Sequence, residues 1–233
     1  MSDSVQLTTE GDVAVISLDD GKANALSFDV LDGLEAALTQ AESSAKAVVI
    51  NGREGKFSAG FDLKVMTGDA DGARRMLGAG ARLGLRIYTF PIPVVLGVTG
   101  HALAMGGILT TTADYRVGAD GPFKLGLNEV AIGMPVPTFG VELCRDRLSP
   151  AWFTRCVQHA TLCSPTEAVA AGFLDEVVAM EAVAERTLAV ATQLAATVHP
   201  GPFRMTRATI RGELAAELQA GLEVDLGDFA VSG

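Results

Sequence analysis

The chain has 233 residues, 48% of them apolar and 6% aromatic, and its 26 glycines follow no Gly-X-Y period. That length buries a sizeable core and excludes collagen-like and low-complexity chains. Lys and Arg number 18 against 28 Asp and Glu, a net charge of −10 with no basic run, so neither a nucleic-acid groove nor a membrane surface is expected.

A weak strand around Val5–Thr9 precedes a clearer one at Val13–Leu18. Ser27 is placed to cap a helix to about Glu42, with Val30, Leu31, Leu34, Ala37 and Leu38 on one face. Ala47–Ile50 is a continuous apolar run, the pattern of a strand covered on both sides. A glycine-punctuated loop leads to a helix over Ala73–Tyr88, a buried strand at Pro93–Leu96 and a small-residue helix from Gly100 to Ala113. No charge occurs between Arg86 and Asp114, but Pro91, Pro93, Gly97, Gly100, Gly106 and Gly107 break the stretch, which predicts a soluble core rather than a membrane span. Short strands are predicted at Tyr115–Val117 and Phe123–Leu125, with Asp114 and Arg116 as a structural ion pair.

Ser164-Pro165-Thr166-Glu167 reads as a capping box with proline at the first helical position, and Gly172 as the end of that helix. A strand at Asp175–Val178 and helices from Ala182 to Thr197 and from Phe203 onward complete the chain. Strands alternating with helices, then helices alone, predict an α/β core over 1–180 and a helical C-terminal region over 181–233. Cys144, Cys156 and Cys163, and the scattered His101, His159 and His199, match no metal or disulfide framework. The first residues, Met1-Ser-Asp-Ser, lack the pattern of a secretory signal, so a cytoplasmic location is expected.

Four segments together resemble the crotonase, or enoyl-CoA hydratase/isomerase, superfamily. They are Lys22-Ala-Asn-Ala-Leu26, Phe57-Ser-Ala-Gly-Phe-Asp-Leu-Lys64, Gly100-His-Ala-Leu-Ala-Met-Gly-Gly107 with Asp114-Tyr-Arg116, and Asn128-Glu-Val-Ala-Ile-Gly-Met-Pro135. The resemblance implies a spiral of ββα turns with a helical C-terminal trimerisation region, assembled as a homotrimer or a dimer of trimers. It also implies acyl-CoA metabolism, with coenzyme A carried as part of the thioester substrate and no permanently bound cofactor.

Chemistry at the α-carbon of a thioester passes through an enolate oxygen, which needs preorganised N–H donors in a dry pocket. Gly60 lets Ala59-Gly60-Phe61 turn sharply, freeing the Phe61 amide, and the start of the helix after Gly100 offers amides without intrahelical partners. By family position the second donor is the Met105 N–H, whose side chain is expected to narrow the acyl pocket. The resemblance places Lys22, Ala23, Ala25, Ala59, Gly60, Phe61, Asp62, Leu63, Lys64, Gly106 and Ile108 along the coenzyme A and acyl path. Asp62 is expected to brace its loop, and Arg74, Arg75, Arg82 and Arg86 make the next helix basic.

Family hydratases use two carboxylates; here the second aligns with Glu129, while the first position is Ile108. One carboxylate suffices to take a proton from C2 of a 3-enoyl thioester and return it at C4. Ile108 and Leu127-Asn128-Glu129 resemble the Δ3,Δ2-enoyl-CoA isomerase branch, with Glu129 in an apolar stretch that raises its pKa. The alternatives are a hydratase, with Glu142 as reserve carboxylate, and a catalytically silent acyl-CoA binder.

Overall fold

A computed structural model describes residues 4–228; residues 229–233, the end of the predicted last helix, lie outside the described residues. In chain order the first half holds β1 (Val5–Glu10), β2 (Val13–Leu18), β3 (Ala25–Leu26), α1 (Phe28–Ser44), β4 (Ala47–Asn51), β5 (Gly55–Ser58), β6 (Gly60–Phe61), α2 (Leu63–Met66) and α3 (Ala70–Tyr88). Then follow β7 (Val94–Val98), β8 (Gly100–Leu103), α4 (Met105–Thr112), β9 (Tyr115–Ala119) and β10 (Leu125–Gly126). A 3-10 turn at Val130–Ile132 leads into α5 (Thr138–Arg147), α6 (Pro150–Val157), α7 (Pro165–Ala171), β11 (Glu176–Val178), a second 3-10 turn (Met180–Ala182), α8 (Val183–Thr197) and α9 (Pro200–Asp228). Among the described residues no helix is long and apolar enough to cross a membrane.

The main sheet runs β1-β2-β4-β7-β9-β11, antiparallel between β1 and β2 and parallel elsewhere. The apolar run of β4 is explained by its two covered faces. Val48 and Ile50 belong to the large core that also holds Leu34 and Leu38 of α1, whereas Ala47 and Val49 belong to a second core with Val190, Ala191 and Ala195 of α8. Leu218, Leu222 and Leu226, four residues apart, lay α9 along the core on the side of α3. Arg207 and Arg211 secure it further, donating to the Phe90, Tyr88 and Thr112 carbonyls where α3 and α4 end.

The predicted caps are present: Ser27 accepts from Val30 N, and Ser164 and Glu167 form the capping box. Gly100–Leu103 is a strand rather than the start of a helix, because it pairs with β5 on one side and β10 on the other. The helix therefore begins only at Met105. Asp114 and Arg116 do not pair with each other. Parallel pairing of β9 with β11 brings Asp175 to 3.0 Å from the Arg116 guanidinium, while Asp114 accepts from Val94 N and pairs with Arg207.

Candidate active site

Two small sheets, β10-β8-β5 and β3-β6, carry the loops of the site. Gly60 has φ +90, and a Cβ there would lie 2.8 Å from Ala104 Cβ and 3.3 Å from Met105 N. Only glycine permits that approach, which sets the peptide entering Phe61 against the first residue of α4. Gly106 allows a second close contact, its missing Cβ leaving room for the Ser58 carbonyl, which such an atom would meet at 2.6 Å. The first intrahelical bond of α4 is from Ile108 N to Ala104 O, so the Met105 amide has no partner within its own helix. Ala104 holds φ 51 and ψ −125, a conformation that costs a non-glycine residue on the order of 1–3 kcal/mol and is characteristic of functional turns. Its own N–H is fixed on Gly126 O at 3.0 Å.

Beside this turn lies a mainly apolar cavity of about 190 Å³, lined by Phe61, Leu63, Leu77, Ile108, Glu129 and Met134 among others. Among the described residues, Glu129 is the only titratable one in the lining. It follows β10 and opens the 3-10 turn, where Met134 N donates to its carbonyl at 2.9 Å. The side chain is 8% exposed and its Oε2 has no hydrogen-bond partner, as is also true of Asn128 Oδ1 beside it. Burial pushes the Glu129 carboxyl up to about 7, against the pull of the Glu129 and Asn128 amides. A carboxylate poised near neutrality in a dry pocket is suited to taking up and giving back a proton. Ile108, also buried, lines the same cavity.

Ala59, Phe61 and Leu63 line the cavity, with Gly60 behind them at the turn. Asp62 caps α2, accepting from Lys64 N at 2.9 Å. Lys22, Ala23, Ala25 and Lys64 lie outside the lining, and the two lysines are exposed with no acidic group in salt-bridge range among the described residues. Met105 does not narrow the pocket. Its side chain is buried on α3, its Cε 3.6 Å from the Cβ positions left vacant by Gly80 and Gly84. Arg86 is likewise committed elsewhere, bridging α3 to Glu35 and Glu42 of α1. Glu142 pairs with Arg145 on α5 and is absent from the cavity wall.

Sequence reasoning missed Asn24 as a positioning residue. Fully buried at φ 52, it donates from Nδ2 to the carbonyls of Leu18, Lys56 and Phe57 at 2.9, 3.1 and 3.3 Å. Its own carbonyl accepts from Ser58 Oγ, which in turn accepts from Gly60 N at 3.1 Å. Asn24 thus anchors the strand that ends in the Gly60 turn. Its place inside an Ala-Asn-Ala stretch was a signal, since asparagine tolerates the left-handed region that alanine avoids.

The profile of the Enoyl-CoA hydratase/isomerase family matches residues 8–231. The chain belongs to this family. Mouse enoyl-CoA delta isomerase 1, named as mitochondrial, is 32% identical over 232 residues, covering 97% of this chain and 80% of that protein. An enoyl-CoA hydratase/isomerase family protein from Pseudomonas syringae superposes with a TM-score of 0.95 at 40% identity, over 98% of this chain and 99% of that one. A Mycobacterium tuberculosis protein, described as an enoyl-CoA isomerase in one structure and as a probable enoyl-CoA hydratase in another, superposes at 0.93 with 36% identity, over 98% and 100%. The family match spans the Gly60 turn, the Met105 helix and Glu129 alike.

Proposed function

We propose that the protein isomerises 3-enoyl-CoA thioesters to 2-enoyl-CoA thioesters, with Glu129 as the single acid–base group. The observation that carries this reading is the solitary carboxylate. Among the described residues Glu129 is the one titratable group of the cavity wall, with an unpartnered Oε2 and apolar Ile108 in the same wall. The thioester carbonyl sits between the amides of Phe61 and Met105, whose donors meet the charge of the dienolate. Glu129 takes the C2 proton, holds it while the double bond migrates, and delivers it to C4. An apolar wall keeps water from competing for that proton transfer. Coenzyme A enters as part of the substrate, with Lys22 and Lys64 toward its phosphates.

The mouse and human mitochondrial relatives that carry isomerase names support this activity. Hydration calls for a second carboxylate, and Ile108 stands where the family resemblance puts one. A homotrimer or dimer of trimers belongs to the same reading, supported by Met205 and Ile210, which α9 leaves 74% and 69% exposed. So does a cytoplasmic location, supported by three thiols outside any disulfide.

The test incubates purified protein with a 3-enoyl-CoA and, separately, with a 2-enoyl-CoA. The first should yield the conjugated isomer and the second no 3-hydroxyacyl product, with Glu129→Gln losing turnover but retaining substrate binding. Hydration as fast as isomerisation, or turnover unchanged in the variant, refutes the reading.

A further inference from the structure

Outside the active site, two sulfurs meet. Cys156 lies in the last turn of α6 and Cys163 seven residues further on, beyond a loop in which Ala160 holds φ 51. Their Sγ atoms are 3.7 Å apart, both side chains are buried, and neither lines the acyl cavity. Each is held by a different element. Cys163 exchanges both backbone hydrogen bonds with Leu125 of β10, at 2.8 and 2.9 Å, while Cys156 is fixed by its helix. The third cysteine, Cys144 of α5, has no sulfur partner among the described residues. Both cysteines are fully buried, while Thr154, Arg155, Gln158 and His159 next to Cys156 in the chain are exposed.

The two thiols are unlike. The two thiols share a hydrogen bond in which either sulfur can donate, and with Arg155 near it lowers the Cys156 pKa against burial and the Glu167 charge. The same hydrogen bond, with burial, raises that of Cys163. This is the asymmetry of an attacking and a resolving thiol.

We propose that Cys156 and Cys163 form a modification site that closes to an intramolecular disulfide when it meets a hydroperoxide. The Cys156 thiolate attacks the peroxide, the O–O bond breaks, and a sulfenic acid forms as the departing oxygen takes up a proton and leaves as water or alcohol. Cys163 sulfur then attacks that sulfur, the S–O bond breaks, and a water leaves carrying the Cys163 proton. Two thiols are oxidised by two electrons and one peroxide is reduced. Bond formation closes the sulfurs from 3.7 Å to about 2 Å. The new bond would tie α6 to β10, whose Gly126 carbonyl holds Ala104 N beside Met105.

The experiment treats the folded full chain with hydrogen peroxide, quenches with catalase, denatures it and counts thiols with a chromogenic disulfide reagent. The expected count falls from three to one, with peptide mapping linking Cys156 to Cys163 and dithiothreitol restoring all three. Cys163→Ser should stop at a sulfenic acid on Cys156 that a cyclic 1,3-diketone captures. Three thiols surviving in the wild type overturn the proposal. So do sulfinic acids in place of the cross-link, or disulfides found only between chains.

Discussion

Replacing Glu129 with glutamine should stabilise the protein while abolishing its chemistry. In the unfolded chain this carboxyl ionises near 4.5, whereas in the folded chain burial holds it protonated up to about 7. Ionisation therefore favours unfolding. The group's contribution to stability is greatest below pH 4.5 and is lost as pH rises to about 7. At about 1.4 kcal/mol per pKa unit, the total loss is about 3 kcal/mol. Glutamine keeps the shape and carries no titratable proton, so the variant escapes this loss. Urea unfolding at equal protein concentration should show Glu129→Gln more stable by up to about 3 kcal/mol at pH 8, with the difference shrinking toward pH 4.5. Equal stability at pH 8, or an advantage independent of pH, would mean that the carboxylate is well solvated in the folded chain. The same titration should appear in turnover: wild-type kcat/KM falls as pH drops below about 7, because the base is then protonated.

Asn24→Ala strips three carbonyls of their donor and leaves alanine at φ 52, so a loss of about 3 kcal/mol in the unfolding free energy from urea titration is expected. A loss under about 1 kcal/mol would show that water replaces the amide. Gly80→Ala puts a Cβ 2.3 Å from the Phe61 ring, so the ring must shift where it borders the acyl cavity. Acyl-CoA KM should then rise several-fold for long chains and little for short ones, and a uniform rise counts against this. Replacing Lys22 and Lys64 together by alanine should raise KM about five-fold, roughly 1 kcal/mol, and flatten its salt dependence with kcat unchanged. An unaltered KM would place the phosphates elsewhere.

Local chemistry was legible wherever it is written within a few residues. The Ser27 cap and the Ser164–Glu167 box each depend on residues one helical turn apart, and both formed where the sequence placed them. The apolar Ala47–Ile50 run announced a strand buried on two faces, and the raised pKa of Glu129 followed from its apolar neighbours. What failed depended on partners distant in sequence. Gly100–Leu103 reads as a helix until β5 and β10 pair with it, and Arg116 finds Asp175 only because β11 joins the sheet beside β9. Met105 turns away from the acyl pocket because Gly80 and Gly84, one turn apart on α3 and outside every site motif, leave room for it. The sequence by itself determined the family, most strands of the main sheet and Glu129 as the candidate base, since each rests on residue type and short spacing. Only the tertiary structure decided which backbone amides converge, what Asn24 supports and which sulfurs touch, because burial and close approach are properties of segments brought together by folding.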